Sequence, residues 1–168
     1  MKLKNLKKAP IEIASLLAAN KKVVQLIKDD SPSALIQPKE QESTVQELIN
    51  SNYIGFYPAT EAGINEIDRN TFIIINLEDF SLNSIDNNIN ASGAIYITTD
   101  KAHSLLENNS LRLLELADAI EGCLEGVKLT SAGTLQIFSI NYVVFSDFRS
   151  GYRINIRLVD QQGRKAEL

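Results

Sequence analysis

The last third of the chain combines a helical pattern with a long pair of strands, and this order constrains the fold more than any other feature. From Asn108 to Leu124, apolar residues recur at helical spacing. The apolar stripe consists of Leu113, Leu116, Ala117, Ile120 and Leu124, and the remaining positions include Arg112, Glu115, Asp118, Glu121 and Glu125. Gly126 follows, where a helix often ends in a left-handed residue. The pattern predicts a helix packed across a sheet with its acidic face outward.

A two-stranded ribbon, Leu135 to Val159, follows this helix. In its second strand apolar and polar residues alternate, with Tyr152, Ile154, Ile156 and Leu158 on one face and Arg153, Asn155 and Arg157 on the other. The first strand changes parity, since its apolar residues are Leu135 and Ile137, then Phe138, Ile140, Tyr142 and Val144, with Val143 and Phe145 reverting. Either a β-bulge switches the faces, or the far end of the ribbon is apolar on both sides.

The second alternative has a consequence at the ribbon tip, which the sequence places at 146–151. It would expose Phe145, Phe148 and Tyr152 unless another subunit covered them. The segment 148–153, together with Arg157, therefore has three interpretations. It is a hairpin tip with a cationic outer face, a protein contact rich in the residue types that dominate interface hot spots, or a nucleic-acid contact.

Three shorter strands precede the helix. Tyr53–Tyr57 is rich in aromatic residues and ends at Pro58, which is typical of an edge strand. Thr71–Leu77 is a continuous, mostly β-branched run, so we expect a strand covered on both faces at the centre of the sheet. Gly93–Thr99 is the next strand, and Ser81–Asn90, which is loaded with Asn and Ser, is predicted to be a loop before it.

The first fifty residues carry helical patterns. Apolar residues recur at helical spacing from Ile11 to Ile27, and the sequence Asp-Asp-Ser-Pro at 29–32 ends that helix. Thr44 with Glu47 fits a capping box at the start of a second, short helix. We therefore expect an α+β fold in one domain, 1–168, with a mixed, mostly antiparallel sheet, a helix packed across it and a long C-terminal β-hairpin at 53–159, after a helical N-terminus at 1–50.

The charge balance limits the possible partners. A net charge of −4 and a pI near 5.1 argue against a protein whose main task is to grip nucleic acid, because such affinity comes from Lys and Arg on phosphates. The lysine-rich start is not followed by the apolar segment of a signal peptide, since Glu12 interrupts it. No run approaches the roughly 18 apolar residues that span a bilayer. We expect no membrane partner and synthesis in a reducing cytoplasm.

Chemistry-bearing residues are few. The one histidine, His103, lies between a strand and a helix, and no sharp-turn serine motif accompanies it. The one cysteine, Cys123, lies beside the apolar stripe and is expected to be a small buried hydrophobe. Adjacent carboxylates such as Glu78 and Asp79 are usually just solvated. We therefore predict no enzyme activity, no cofactor and no metal site.

The order helix, three strands, helix and long hairpin resembles the tail-terminator fold of long-tailed phages and of their tailocin relatives. The most similar stretch is 111–124, LRLLELADAIEGCL, with a basic residue and Leu early and Asp-x-Ile midway. The strand Ala94–Thr99 precedes it and the strand Tyr152–Ile156 follows. The resemblance covers 53–159.

The resemblance implies a homo-hexameric ring that caps the tail tube, stops its polymerisation and offers a surface to the neck or connector proteins. It implies partners in copies of the chain and in the tail tube protein, with double-stranded DNA passing through without specific binding. It places the protein in the virion tail or neck, after synthesis in the bacterial cytoplasm. The ribbon residues expected to contact a neighbouring protein are Phe145, Phe148, Arg149, Tyr152, Arg153 and Arg157.

Two other classes of function fit the sequence. One is another small neck component, such as a head-completion or head–tail adaptor protein. The other is a non-viral interaction module, or an enzyme whose site the sequence does not reveal. A monomer with a formed pocket would favour the enzyme, whereas assembly with tube protein would favour the terminator.

Overall fold

A computed structural model describes residues 6–39, 43–56, 59–83 and 88–159, with only the backbone path for 61–62, 80–83 and 88–90. The helices are α1 (Ala9–Ala19), α2 (Lys21–Lys28), α3 (Val45–Asn50), α4 (Glu61–Asn65) and α5 (Arg112–Leu124), with a 3₁₀ turn at Lys101–His103. The strands are β1 (Ile54–Gly55), β2 (Thr71–Asn83), β3 (Asn88–Asp100), β4 (Lys128–Leu129), β5 (Gly133–Val144) and β6 (Arg149–Val159).

The N-terminal helical segment divides at Asn20, where the sequence predicts one continuous helix. The Asn20 side chain accepts the Val23 N–H at 3.1 Å and so begins α2, because asparagine competes well for the free N–H groups of a helix start. The stop at Asp29 is confirmed. The capping box is also confirmed, with Thr44 Oγ1 accepting the Glu47 N–H at 3.2 Å and the Glu47 carboxylate accepting the Thr44 N–H at 2.9 Å.

The six strands form one mixed sheet in the order β1-β2-β3-β6-β5-β4. Only β1 and β2 are parallel, so the expected mostly antiparallel sheet and α+β class are confirmed. The short strand β1 is at the edge, as predicted. The strand β2 is covered on both faces, with Ile73 and Ile75 in the helix-side core and Phe72 and Ile74 in a second cluster. It is not central, however, because β3 and β6 occupy the middle.

The segment Ser81–Asn90 was predicted to be a loop, and this is wrong for most of it. The antiparallel ladder of β2 and β3 continues to the pair Asn83 and Asn88, so only 84–87 lie between the strands. Backbone pairing begun in the apolar part of the hairpin extends through polar residues, because the ladder bonds require no particular side chain. A bulge between Leu77 and Asp79 interrupts this ladder.

The helix α5 begins at Arg112 rather than at the predicted Asn108. The predicted apolar stripe is buried, and α5 packs across β3, β6 and β5. Glu115 and Asp118 lie outward and bind Lys22 of α2 at 2.8 and 3.2 Å. Gly126 has φ +74° and closes the helix as predicted.

Arg112 is fully buried, although the helical pattern assigns it to the polar face. Its guanidinium donates to four backbone carbonyls at 2.6–2.9 Å, which belong to Leu26, Asp29, Ser31 and His103. Burial lowers the pKa of the Arg112 guanidinium, while the nearby carboxylates of Asp29 and Asp30 raise it. The group nevertheless stays charged at neutral pH, as arginine does in proteins. Arg112 therefore joins the end of α2, the turn after it and the start of α5.

Candidate protein-interaction site

The parity conflict in the ribbon is resolved by a bulge in β5. Ile137 pairs with Ile156 and Ser139 with Asn155, so Phe138 is the extra residue. Beyond the bulge, Ile140 and Tyr142 pair with Ile154 and Tyr152 and so lie on the same face of the sheet as those residues, the face that carries the helices. Of the two alternatives left open by the sequence, the bulge is therefore present.

An apolar row along β5 is nevertheless exposed. It comprises Ile140, Tyr142 and Val144, with Tyr142 58% and Val144 62% exposed, and the bulge residue Phe138 is exposed beside it. This row lies on the helix side of the sheet, past the cover that α5 provides. Alternate apolar positions on a strand normally face a core, so the row needs a cover that the described residues do not supply.

The helix α5 borders this row with a further apolar residue. Leu114 is half exposed and lies seven and eleven positions before Glu121 and Glu125, which places the three on one side of the helix. The Glu125 carboxylate accepts the Ile137 N–H of β5, so this is the side nearest β5. Leu114 is thus an exposed apolar residue on the side of α5 that also carries the acidic residues Glu121 and Glu125.

The outer edge of β5 is open beside the same row. Near its start, β4 pairs with Gly133 and Thr134, and the Leu135 N–H donates to the Val127 carbonyl at 2.9 Å. Hydrogen-bonding direction alternates along an antiparallel strand, so beyond the bulge the outward N–H and C=O groups belong to Ile140, Tyr142 and Val144. No described strand pairs with them. Such an edge is a template for another strand.

The six residues predicted to contact a neighbouring protein are dispersed by the structure. Phe145 is only 7% exposed and packs edge-on against Tyr96, with ring centroids 6.3 Å apart. It lies on the face away from the helices, so the exposure that the second alternative implied for Phe145 is not found. Tyr152 is half buried against Tyr142, with ring centroids 5.6 Å apart. Phe148, at 77% exposure, is displayed at the tip.

Arg149 is held inside the molecule. Its guanidinium donates to Asp100 at 2.7 Å and to three backbone carbonyls, of Ile64, Ile67 and Arg69, at 2.6–3.0 Å. The group also lies 5.2 Å from the Phe72 ring centre. β6 begins at Arg149, so the tip is shorter than the predicted 146–151. Arg149 anchors the tip to α4 and the loop after it.

The other two arginines lie on the sheet face away from the helices. Arg153 binds the Glu78 carboxylate and lies over the Tyr96 ring, 5.6 Å from its centre. Burial, with Glu78 adding to it, raises the pKa of the Tyr96 hydroxyl. Arg157 is exposed and donates to the Gln136 side chain at 2.7 Å, with no carboxylate partner among the described residues.

The residues considered for chemistry stand apart from one another. Burial raises the pKa of the Cys123 thiol to about 11, which makes it a poor nucleophile. His103 lies in the 3₁₀ turn, and its backbone carbonyl accepts a hydrogen bond from Arg112. Within the described ranges, no three metal-binding side chains cluster. None of the described helices is long and apolar enough to cross a membrane.

The strongest surface feature, the β5 row with its open edge, was not among the predicted contact residues. Its signal was present in the sequence, because Ile140, Tyr142 and Val144 alternate in a strand whose partner is already apolar on the same face. The sequence could not show how far α5 extends over that face, and this distance decides which residues are covered.

Known proteins offer two comparisons. The family model YomW matches residues 20–158. A chain from a structure described as the virion of a native gene transfer agent particle has 15% identity and a TM-score of 0.46, over 82% of this chain and 90% of that chain. At that TM-score the likeness is too distant to assign a role. No curated protein sequence matches the chain.

Proposed function

Since the chain belongs to the YomW family, which is phage-associated, we propose that it is a tail terminator, a ring-forming structural subunit at the end of a phage tail tube. Family membership supports a phage structural protein and suggests a non-enzymatic role. The finer proposal is a homo-hexameric ring in the tail or neck of the virion, made in the host cytoplasm. Its partners are the tail tube protein and the neck or connector proteins.

One observation carries the proposal, the exposed apolar row of β5 beside an open strand edge. Exposed apolar surface and unpaired edges promote aggregation in a monomer, and natural proteins usually cover or charge them. Here the row holds no charged side chain, since Ile140, Tyr142 and Val144 follow one another at alternate positions. In a closed assembly, a neighbouring subunit covers such an edge and the apolar row beside it.

The charge of the chain fits this role. A net charge of −4 repels phosphate, and a ring that surrounds passing DNA must not retain it. Arg149 and Arg153 are engaged within the molecule, with Asp100 and Glu78, which reduces the cationic surface of the ribbon. The protein therefore surrounds double-stranded DNA without binding it specifically, and no membrane takes part.

The proposal is tested on tubes assembled from the tail tube protein. We expect the wild-type chain to stop elongation and to give tubes of limited length by negative-stain microscopy. The double variant Tyr142→Lys, Val144→Lys should leave tube length uncontrolled, because the charges oppose contact through the row. A matched control is Ile36→Lys, a 54% exposed apolar residue in another part of the chain, which should still stop elongation.

Tube lengths that do not change on addition of the wild-type chain would exclude the terminator role. A neck component of another kind would bind the finished connector without limiting the tubes. Tube protein alone is the reference for tube length, and a separate binding measurement with the connector identifies a neck component of that kind.

A further inference from the structure

The sheet has a second open edge, which differs in place and chemistry from that of β5. On the outer side of β2, β1 pairs only with Ile73 and Ile74, and the Ile73 N–H donates to the Tyr53 carbonyl at 2.9 Å. Alternation then directs the backbone groups of Ile75 and Leu77 outward, where no described strand meets them.

The two open edges lie at opposite ends of the strands. Through the registers of β3 and β6, Val144 of β5 is level with Thr71 of β2, and Ile140 is level with Ile75. The strand β4 therefore blocks the half of β5 that is level with the open half of β2. The strand β1, in turn, blocks the half of β2 that is level with the open half of β5.

We infer that the occupant of the open β5 edge is a second copy of this chain, which contributes the open edge of its β2 as the next strand. This inference rests on one part of the proposed function, namely that copies of the chain associate with one another. The contact is heterologous, because two different edges meet, and such contacts close into rings when the rotation permits.

The strand directions support this pairing. Each of the pairs β2 and β3, β3 and β6, and β6 and β5 is antiparallel, so β5 runs opposite to β2. A neighbouring copy in the same orientation thus offers β2 antiparallel to β5, the better geometry for ladder bonds. The alternating pattern of the sheet continues across the contact.

The helix layer also continues across the contact. In each copy, α1 and α2 pack on β2, and α5 packs on β3, β6 and β5. Neighbouring strands are about 4.8 Å apart, and packed helices are about 8–10 Å apart. The helices over the incoming β2 therefore lie beside the row of Ile140, Tyr142 and Val144, with α5 on its other side. The same pairing that completes the edge also covers the row.

Charge favours unlike edges over like ones. On the face away from the helices, β2 carries Glu78 and Asp79 near its open edge, whereas the open half of β5, residues 138–144, carries no charged side chain. Two β2 edges would bring carboxylates together, whereas β2 beside β5 does not. An exclusive two-fold pairing of β5 with β5 would leave the β2 edge open.

Proline variants test the backbone bonds separately from the side chains. Tyr142→Pro removes an outward N–H and obstructs the edge, whereas its control Tyr142→Ala removes the side chain alone. Leu77→Pro and Leu77→Ala form the matching pair on β2. By sedimentation velocity, each proline variant should self-associate about tenfold or more weakly than its alanine control, the equivalent of about one ladder bond.

A second measurement uses mixtures and distinguishes the two symmetries. Tyr142→Pro retains a usable β2 edge and Leu77→Pro retains a usable β5 edge, so their equimolar mixture should form 1:1 dimers and no larger species. Val144→Lys replaces Tyr142→Pro in a repeat of this mixture, because a side chain 62% exposed tolerates lysine without loss of the fold. Thermal unfolding of every variant near that of the wild type confirms that the fold is kept.

Several outcomes would overturn the inference. Leu77→Pro that associates as well as Leu77→Ala would show that β2 takes no part, as in a β5–β5 pair. A mixture that stays monomeric, or a wild-type chain that is monomeric at every concentration tested, would exclude the pairing. If the chain associates through both edges but leaves tubes uncapped, the pairing inference stands and only the terminator role is excluded.

Discussion

Replacement of the buried Arg112 by methionine should be among the most damaging single substitutions in the chain. Methionine is similar in length but donates no hydrogen bond, so the carbonyls of Leu26, Asp29, Ser31 and His103 lose a donor at once. An unsatisfied buried acceptor costs about 1–3 kcal/mol. We use about 1 kcal/mol for each, because these carbonyls lie at helix ends and turns that water can reach after a small movement.

The four carbonyls together give a loss of about 4 kcal/mol in the free energy of unfolding, within the range of about 3–5 kcal/mol for breaking a buried charged network. In a chain of 168 residues, 1 kcal/mol corresponds to about 2–4 °C in Tm. We therefore expect Arg112→Met to lower Tm by about 8–16 °C. Arg112→Lys keeps the charge but has three donors on one atom, so we expect about half that loss.

Urea unfolding followed by far-ultraviolet circular dichroism gives the free energies, and an unchanged m-value shows that both variants unfold from the same state. The matched control is Arg157→Met, at an exposed arginine whose described contact is a single bond to Gln136. Its expected loss is below about 0.5 kcal/mol. If Arg112→Met lost less than 1 kcal/mol, the four bonds would not be what holds α5 to the end of α2.

Three further predictions concern other parts of the chain. The Glu12 carboxylate accepts the Thr130 N–H at 2.8 Å, and although burial raises the pKa of Glu12, the hydrogen bonds from Thr130 and Ser131 outweigh it and lower the pKa. The ionised Glu12 carboxylate therefore stabilises the fold above the ordinary pKa of 4.5, and this stabilisation is lost as the pH falls through the folded pKa. We expect Glu12→Gln to be less stable than the wild type at pH 7 and nearly as stable at pH 3, as measured by urea titration. Gly151→Ala should lower stability by about 1–3 kcal/mol, because its Cβ would lie 2.0 Å from the backbone oxygen of the paired strand β3; a calorimetric Tm equal to wild type would contradict this. A thiol reagent at pH 8 should react with Cys123 about a hundredfold more slowly than in urea, since the pKa rises from 9.0 to about 11; equal rates would show an open thiol.

Local signals in the sequence were sufficient for several elements. The Thr44 capping box and the glycine at 126 are decided by neighbouring residues alone, and both are found as expected. The apolar stripe of α5 likewise identifies the buried side of that helix, since its period matches one packed face. The same kind of reasoning missed the break at Asn20, where a side-chain cap competes with an otherwise continuous apolar pattern.

Contacts between distant parts of the chain account for the other differences. Arg112 and Arg149 both look like surface arginines in sequence, but each finds backbone carbonyls more than 75 positions away. The turn and loop that supply those carbonyls are placed by the whole fold, and no local pattern indicates them. For the same reason the sequence could not assign Phe145 to the second cluster, which α4 helps to form. That the chain is one domain stays a prediction.

Part of the candidate interaction site was predictable and part was not. The parity conflict of the ribbon was visible in the sequence, and the bulge at Phe138 is one of the two predicted solutions. The particular residues were different, because exposure depends on where α5 stops covering β5. A sequence can show that a strand has more apolar residues than one face needs, but the neighbouring helix decides which of them remain exposed.

The anchoring of Arg149 has a consequence for the affinity with which the ribbon tip can bind a partner. Three bonds from this one side chain fix the tip to α4 and the loop after it, and a fourth fixes it to Asp100 at the end of β3, directly beside Phe148. A displayed aromatic residue on a fixed base loses little conformational freedom when it binds, so more of its burial free energy remains as affinity. In an assembly that joins many copies, that saving is repeated at every subunit. Rigidity at the tip is thus a form of preorganisation, and we predict that loosening Arg149 weakens any contact made through Phe148.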